Sequence, residues 1–404
     1  MYTKGVGLSD KSQPSMSKRR LLKWLSCALP LTAIGFLFSA SVVAQGNPEA
    51  LVVSPQQEIK AESLRTYWTE ERMNAAQVLD LGVEGIAPMQ NRQVEPFSSG
   101  KQPFVVPARP GELQVQSSAV NDQSSTQYSV ADAPQADSLN LAVDDTGVDL
   151  LAGTYPFSFT GYDAFPDVAP LYEFFPFRVV GKLYFTIPSV GDFVCSASVV
   201  NTPNLSSLIT AGHCVYDPST QQFSTNVLFA PAHYNGVNTY DTFTAISLVT
   251  LAGWTQGLLE YDMGGIYLNR GGPAPSTYLV GQLGALGFLA NADRTQHWHS
   301  DGYPAAPPFT GGKQHFCAAT WAVNDQPTGT AGVDPETMGI GCDSTGGSSG
   351  GPWIVDLNGS TSTGNLINGL NSYGYVGVAN QMYGPYFGDA AVALYNWLAA
   401  NPIP

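Results

Sequence analysis

The amino-acid sequence predicts an all-β fold that ends in a single α-helix. From about residue 166 onward, short runs rich in β-branched and aromatic residues recur, and Gly, Pro and Asn separate them. Such runs are typical of short strands joined by turns. In this part of the chain only residues 389–400, DAAVALYNWLAA, have helical spacing, with Asp389 as a candidate N-cap. Many short strands over about 240 residues indicate a β-barrel or a β-sandwich. The clearest runs begin at residues 178, 193, 226, 243, 264 and 365.

The N-terminal segment has the composition of an export signal. Three basic residues at positions 18–20 precede a mostly apolar run that ends in the small residues of 42–44. This order predicts a cleavable signal peptide over residues 1–44, and hence a secreted or periplasmic protein without a stable membrane anchor. A membrane-spanning helix is the alternative, because about 20 apolar residues suffice to cross a bilayer. Lys23 and Pro30 interrupt the run and favour the signal peptide.

Residues 45–165 are expected to form a propeptide or linker ahead of a folded domain at residues 166–404. The stretch Gln114–Asp149 is polar and has few large apolar residues, so we expect it to be poorly ordered. One part, YWTEERMNAAQVLDL, has a helical pattern in which Thr69 serves as N-cap. A simple spacer is the alternative to a propeptide.

Charge and cysteine content narrow the class of protein. The formal net charge is −15, whereas a nucleic-acid-binding protein needs a basic surface, so we expect no nucleic-acid partner. Outside the predicted signal an even number of cysteines remains, which favours disulfides in an exported chain. Four cysteines permit three connectivities, and we expect the two pairs that are close in sequence. These cysteines are Cys195, Cys214, Cys317 and Cys342.

Two polar residues stand in apolar surroundings that suit catalysis. His213 follows a β-branched strand through the sharp turn Ala211-Gly212, next to a cysteine, where an imidazole is well placed as a general base. A structural histidine is the alternative. Asp262 lies inside the apolar run YDMGGIYL, where a buried carboxylate needs a partner. An imidazole that must hold one tautomer is a fitting partner, although an edge-strand aspartate facing water is also compatible with the sequence.

TAGHC (210–214), YDMGGIYL (261–268) and GGSSGGPW (346–353), in that order, resemble the trypsin-like serine peptidases of the chymotrypsin fold. The resemblance covers about residues 170–400, and CDSTGGSSGGP is similar to secreted bacterial members related to glutamyl endopeptidases. It implies two antiparallel six-stranded β-barrels with a C-terminal helix. It also implies a monomeric endopeptidase that acts on proteins or peptides through a covalent acyl-enzyme and needs no metal or other cofactor.

The family frame Gly-x-Ser-Gly-Gly-Pro selects one of two adjacent serines. It fits Ser349 as nucleophile and leaves Ser348 in the variable place before it. His213 is then the base and Asp262 the residue that orients it. The N–H groups of Gly347 and Ser349 are expected to form the oxyanion hole, because glycines tolerate the backbone angles of such a turn.

The serine at position 348 is not compatible with one route of activation. Pancreatic members carry an aspartate in this place, which pairs with a new N-terminus after cleavage. The segment FRVVGK (177–182) resembles such a cleavage site at Arg178–Val179. Because serine offers no carboxylate, we expect the pro-region to be removed without that switch.

The specificity pocket is expected to contain Asp343, Ser344, Ser372, Tyr373 and Gly374. In trypsin an aspartate at the place of Asp343 binds Lys or Arg, while relatives of glutamyl endopeptidase also carry an acid there. Those relatives use a histidine in the later pocket wall, and LNSYG has none. Basic or broad specificity is therefore favoured over glutamate.

Three other functions are weighed against peptide hydrolysis. His297 and His299, with His315 and Cys317 downstream, suggest a metal site only weakly, because histidines in a loop rich in Gly and Pro are commonly plain surface residues. A non-catalytic binding protein on the same fold would be expected to carry a broken triad. An esterase of the hydrolase-elbow type needs a helix after the serine, which Gly-Gly-Pro-Trp does not favour.

Overall fold

The computed structural model describes residues 47–57, 61–85, 87–88, 100–112, 157–163, 171–272, 278–327, 335–358 and 362–404. The predicted signal peptide and the polar stretch Gln114–Asp149 lie outside these residues. Within them, no helix has the length and apolar character needed to cross a membrane.

The described residues before position 166 include two short helices and five short strands. The helices are α1 (Ala61–Tyr67) and α2 (Glu70–Ala75). The strands are β1 (Leu51–Val53), β2 (Gln77–Val78), β3 (Gly82–Val83), β4 (Phe104–Val106) and β5 (Phe159–Asp163).

Residues 171–272 form a closed six-stranded barrel. Two short hairpins, β9–β10 and β12–β13, lie in the connections between its strands. The one-turn helices α3 (Gly212–Val215) and α4 (Ala252–Thr255) also lie between its strands. The order β14-β11-β6-β7-β8-β15 is closed by antiparallel pairing of β14 with β15. The strands are β6 (Val180–Ile187), β7 (Gly191–Val199), β8 (Ser207–Thr210), β9 (Tyr216–Asp217), β10 (Gln222–Phe223), β11 (Thr225–Pro231), β12 (His233–Tyr234), β13 (Val237–Asn238), β14 (Phe243–Leu251) and β15 (Gly264–Leu268).

The second half of the domain is a nine-stranded sheet. Its main path runs β23-β19-β18-β17-β20-β21-β16-β4, and β5 pairs with β18. Together with β4 and β5, its strands are β16 (Gly287–Ala290), β17 (His297–Gly302), β18 (His315–Asp325), β19 (Thr337–Gly341), β20 (Pro352–Val355), β21 (Leu366–Leu370) and β23 (Gln381–Gly384). Outside this sheet, β22 (Gly374–Tyr375) pairs in parallel with β3.

A C-terminal helix, α5 (Asp389–Ala400), packs on the barrel. A Cβ at Gly265 of β15 would lie 3.1 Å from the side chains of both Leu394 and Leu398, so the glycine allows the helix to approach closely. Residue Gly388 is the N-cap, and Asp389 is the first helical residue rather than the cap that the sequence indicated. Its carboxylate still lies in the first turn, where it favours the helix dipole.

The mostly β architecture confirms the fold class predicted from the sequence, with a closed barrel and a second sheet. The core is continuous across both, because Leu183, Phe229 and Ile266 of the barrel belong to the same buried cluster as Phe288 and Ile354 of the second sheet. Burial of this apolar surface contributes more than any other interaction to the stability of the fold. The active-site candidates lie where the barrel and the second sheet meet.

The segments before residue 166 extend both sheets. β1 pairs with β14 and β4 with β16, both antiparallel, while β5 pairs antiparallel with β18. Thr69 caps α2 as predicted, because its hydroxyl accepts a hydrogen bond from Arg72 N at 3.2 Å. The described part of the predicted pro-region is therefore built into the edges of the domain.

Candidate active site

His213 and Asp262 form a buried pair. His213 Nδ1 lies 2.8 Å from Asp262 Oδ2, and the backbone N–H of His213 donates to Asp262 Oδ1 at 2.7 Å. Their side chains are 3% and 0% exposed. The Oδ2 atom also accepts a hydrogen bond of 2.6 Å from the Ser372 hydroxyl. The carboxylate is thus fully paired, which offsets the cost of burying it.

The backbone before His213 allows this close approach. Strand β8 ends at Thr210, and His213 lies in the single turn of α3. A Cβ at Gly212 would lie 2.8 Å from the Trp254 ring and 2.9 Å from Asp262 Oδ1. A side chain there would therefore push the carboxylate away from the imidazole.

Ser349 lies on the loop between β19 and β20, close to Cys214, the residue that follows His213 in the chain. Its carbonyl accepts a hydrogen bond of 2.7 Å from Ser196 N, and Cys214 Sγ lies 3.8 Å from the same oxygen. The hydroxyls of Ser348 and Ser349 differ in their hydrogen bonding. Ser348 Oγ donates to Thr345 O at 2.8 Å, whereas Ser349 Oγ makes no hydrogen bond to any described residue. His213 Nε2 is likewise buried without a partner in the described chain.

The loop around Gly347 is shaped to expose backbone N–H groups. Gly347 has φ of +97°, a conformation that side-chain-bearing residues rarely adopt, and a Cβ there would lie 2.9 Å from Tyr303 O. Its carbonyl accepts a hydrogen bond of 2.9 Å from the buried Ser196 hydroxyl. Within the described residues, the N–H groups of Gly347 and Ser349 donate to no acceptor. They are therefore available to a ligand oxygen.

One pocket of about 680 Å³ brings the predicted specificity residues together with Ser349. All five of those residues line it, and so do Ser348, Ser349 and the Ala306–Phe309 turn. Two further lining residues, Asp80 and Gly82, come from the segment before the domain. The sequence-predicted residues in the pocket are Asp343, Ser344, Ser372, Tyr373 and Gly374.

A carboxylate–imidazole–carboxylate chain lies at one wall of this pocket. His315 Nε2 lies 2.8 Å from Asp343 Oδ1, and its Nδ1 lies 2.9 Å from Asp163 Oδ1. Burial alone would lower the pKa of His315, but the hydrogen bonds to both carboxylates outweigh it and raise that pKa. Burial opposes the shift at Asp343, whose pKa is lowered by its hydrogen bond to His315. Two carboxylates face one imidazole, so this wall keeps a net negative charge.

Neither cluster of potential metal ligands fits a metal ion. One cluster consists of Cys195, His213 and Cys214, and the other of His315, Cys317 and Asp343. All three cysteines are in disulfides, so each cluster loses thiolate donors and keeps too few ligands.

His297 and His299 were expected in a loop, and that expectation is wrong. Both lie on strand β17, where alternate residues share a face. His299 contacts the Tyr162 hydroxyl, with 3.1 Å between Tyr162 Oη and Nδ1. Neither histidine lines the pocket.

Both expected disulfides are present. Cys195–Cys214 ties β7 to the turn that carries His213, and Cys317–Cys342 ties β18 to the residue before Asp343. Each bond therefore anchors a segment that contributes to the site.

Comparisons with known proteins find similarity to two solved proteases. It is 39% identical to the thermostable serine protease AL20 from an extremophilic microorganism, covering 55% of this chain and 98% of that one, with a TM-score of 0.48. It is 35% identical to the protease Anisep from Arthrobacter nicotinovorans, covering 55% of this chain and 96% of that one, with a TM-score of 0.49. No protein-family model matches.

A curated relative is similar over a shorter stretch. The extracellular metalloprotease of Bacillus subtilis (strain 168) is 33% identical over 97 residues, which is 24% of this chain and 30% of that protein. The match thus spans less than a third of the relative's length.

AL20 and Anisep, both named as proteases, are thus similar to this chain over nearly their whole lengths. The solved structures that this chain resembles include a serine protease, the class whose motifs its sequence resembles.

Sequence reasoning missed several residues around the site. His315 was considered only as a weak metal ligand, and nothing in its local sequence shows that it pairs with Asp343, 28 positions later. Ser196 lies in an apolar strand that the sequence predicted, yet its contact with Gly347 crosses 151 positions. Asp80 and Gly82 belong to a region that was expected to be separate from the domain.

Proposed function

We propose that this chain is a secreted serine endopeptidase that hydrolyses peptide bonds through Ser349, His213 and Asp262. The observation that supports it most is the unpaired hydroxyl of Ser349, a residue that lines the pocket, together with the buried His213–Asp262 pair. A nucleophilic hydroxyl needs a base within reach and a third group to orient that base. Hydrogen bonds between serine and histidine are often long without substrate and tighten in the complex.

The chemistry follows from the contacts of each group. His213 Nε2 accepts the proton of Ser349 Oγ as this oxygen bonds to the substrate carbonyl carbon. The N–H groups of Gly347 and Ser349 stabilise the negative oxygen that forms. His213 then protonates the leaving amine, and water hydrolyses the acyl-enzyme by the reverse sequence. Asp262 accepts the Nδ1–H bond and holds the tautomer that presents a free Nε2.

We further propose a preference for basic over acidic residues before the scissile bond. The Asp343 carboxylate lines the pocket and is 36% exposed, and Asp163 adds a second negative charge behind His315. A substrate glutamate would meet net negative charge there, whereas Lys or Arg would be attracted. A panel of peptides that differ only at this residue tests the proposal. Faster cleavage after Glu than after Lys or Arg would overturn it.

Secretion is supported by two disulfides and by similarity to an extracellular protease. We propose a precursor with a signal at 1–44, a pro-region at 45–165 and a peptidase domain at 166–404. Arg178 is only 6% exposed, and its Nη2 donates to Pro110 O at 3.0 Å. This burial favours processing that does not depend on a cut after Arg178.

The test compares two adjacent serines. Ser349→Ala removes the nucleophile, and we expect peptide hydrolysis to fall by about 10⁴-fold or more. Ser348→Ala removes only a loop hydrogen bond to Thr345 and should keep much of the activity. Equal losses in both variants would overturn the assignment. Activity that survives Ser349→Ala would favour the rival function, a non-catalytic binding protein with a contaminating protease.

A further inference from the structure

A segment of the pro-region, Gln77–Val83, crosses the active-site cleft from one half of the domain to the other. At its start, β2 pairs in parallel with β7, with Gln77 opposite Phe193 and Val78 opposite Val194. At its end, β3 pairs in parallel with β22, with Gly82 opposite Gly374. Backbone hydrogen bonds of 3.1 and 3.0 Å run from Gly374 N to Leu81 O and from Val376 N to Val83 O.

Between these two pairings the segment lies against the loop that carries Ser349. A Cβ at Gly346 would lie 2.5 Å from Val78 Cγ1 and 2.9 Å from Asp80 Cβ, so Gly346 is in close contact with the segment. Asp80 and Gly82 line the same pocket as Ser349. The segment therefore lies in the part of the cleft that adjoins the Ser349 loop.

The chain direction of this segment is opposite to that of a substrate. Because His213 protonates the leaving amine, the C-terminal part of a substrate lies on the side of His213 and β7 (Gly191–Val199). The residue before the scissile bond occupies the pocket beside Gly374. A substrate thus runs from β22 towards β7, whereas Gln77–Val83 runs from β7 towards β22.

The segment is held in place by the helices before it. Trp68 is 3% exposed and packs with Tyr184, Val194 and Leu228 on the barrel. Its Nε1 donates to Asn226 O at 2.6 Å. Such a buried aromatic anchor with a satisfied polar atom is typical of strong interface contacts. The cleft segment is therefore tethered by a preformed anchor and does not depend on its own few contacts.

From these contacts we propose that Gln77–Val83 is a built-in inhibitor that occupies the substrate cleft in reverse chain direction. This proposal rests on the proposed peptidase function of the same site. Backbone pairing with β22 imitates the way an extended peptide adds to a sheet edge. The reversed direction places no peptide carbonyl in the productive orientation relative to Ser349 and the N–H of Gly347, so the segment blocks the site without being cleaved.

The test uses the intact precursor and two variants of the segment. Gly82→Trp displaces β3, because a Cβ at Gly82 already lies 2.9 Å from Val376 Cγ2. The second variant replaces residues 78–83 with a Gly-Ser sequence of equal length. The matched control is Val53→Trp, which adds the same bulk to β1 at a side chain that is 42% exposed and does not line the pocket. Thermal melting verifies that each variant is folded.

Two measurements separate this inference from the peptidase proposal. Hydrolysis of fluorescent casein is expressed per molecule of folded protein, and fluorophosphonate labelling shows whether Ser349 is reactive in the precursors and in the processed form. We expect both cleft variants to hydrolyse casein at least about tenfold faster than the wild-type precursor, and the control to stay within about twofold, as release of a competing segment requires. Mass spectrometry should find no cleavage between residues 77 and 83.

Each remaining outcome would overturn the inference. Equal casein hydrolysis per molecule of folded protein in all four precursors would show that the segment does not block the cleft. A cut inside Gln77–Val83 would show that it binds as a substrate does. If no precursor and no processed form is labelled, the peptidase proposal itself fails and the inference falls with it.

Discussion

The hydroxyl of Ser196 offers a sharp test of how the oxyanion hole is held. This side chain is fully buried, donates to Gly347 O at 2.9 Å and accepts from Tyr303 N at 2.9 Å. It thereby fixes the carbonyl group of Gly347, the residue whose backbone N–H we assign to the oxyanion hole. We expect Ser196→Ala to let this loop shift and to weaken one of the two donors.

The expected magnitudes follow from those two hydrogen bonds. A buried polar group left unpaired costs about 1–3 kcal/mol, so two of them lower the free energy of unfolding by about 2–6 kcal/mol. Complete loss of one oxyanion donor typically lowers kcat by about 10²–10³. Because Ser196 acts through Gly347, we expect a fall of about 10- to 100-fold in kcat and little change in KM.

Ser198 supplies the matched control on the same strand. Its hydroxyl is buried and has no partner among the described residues, so Ser198→Ala should leave kcat unchanged and the free energy of unfolding equal or higher. The assay is peptide hydrolysis at several substrate concentrations, normalised to fluorophosphonate-labelled sites, with urea unfolding of each variant. A Ser196→Ala enzyme with wild-type kcat, or with a change in KM alone, would refute the reasoning.

Three further predictions concern stability and its dependence on pH. Burial lowers the pKa of Lys182 from 10.5 to about 8, which means that the folded state disfavours the charged ammonium group. Lys182→Met should therefore raise the free energy of unfolding at pH 7 by about 3 kcal/mol. Urea titrations should show that this gain is lost by about pH 10.5, where the lysine of the unfolded chain also becomes neutral. The raised pKa of His315 and the lowered pKa of Asp343 show that their ion pair stabilises the fold between about pH 4 and 6.5. The free energy of unfolding of His315→Gln should therefore fall furthest below that of the wild type in this range. An equal difference at pH 9 would contradict the ion pair. Removing the Cys195–Cys214 disulfide, which spans 19 positions, should cost about 2–4 kcal/mol in thermal or urea unfolding, and a cost near zero would show that the turn is held by other contacts.

The strands of the barrel could be predicted from sequence because nearly all of their residues are buried, which produces short runs rich in apolar residues. The runs at residues 243–251 and 264–268 coincide with β14 and β15, and the run at 193–200 overlaps β7 closely. Strands with mixed composition were missed. β17, HWHSDG, has two histidines and an aspartate, and its strand conformation depends on pairing with β18 and β20.

The candidate site was predictable to the extent that motifs fix it locally. The glycine frame selected Ser349 over Ser348, and the apolar run around Asp262 predicted a carboxylate that needs a partner. Contacts between distant segments left no local signal. The pairing of His315 with both Asp163 and Asp343 joins three separate elements, and the two parallel pairings of Gln77–Val83 depend on the folded domain that they cover.

The assignment of Ser349 as nucleophile is tested most directly by labelling the exported protein with a fluorophosphonate and mapping the modified residue by peptide mass spectrometry. This reagent reacts with a serine that is activated by a neighbouring base. We expect a single adduct on Ser349, abolished in His213→Ala and retained in Ser348→Ala. An adduct on Ser348, or no adduct on protein whose pro-region has been removed, would contradict the proposed mechanism.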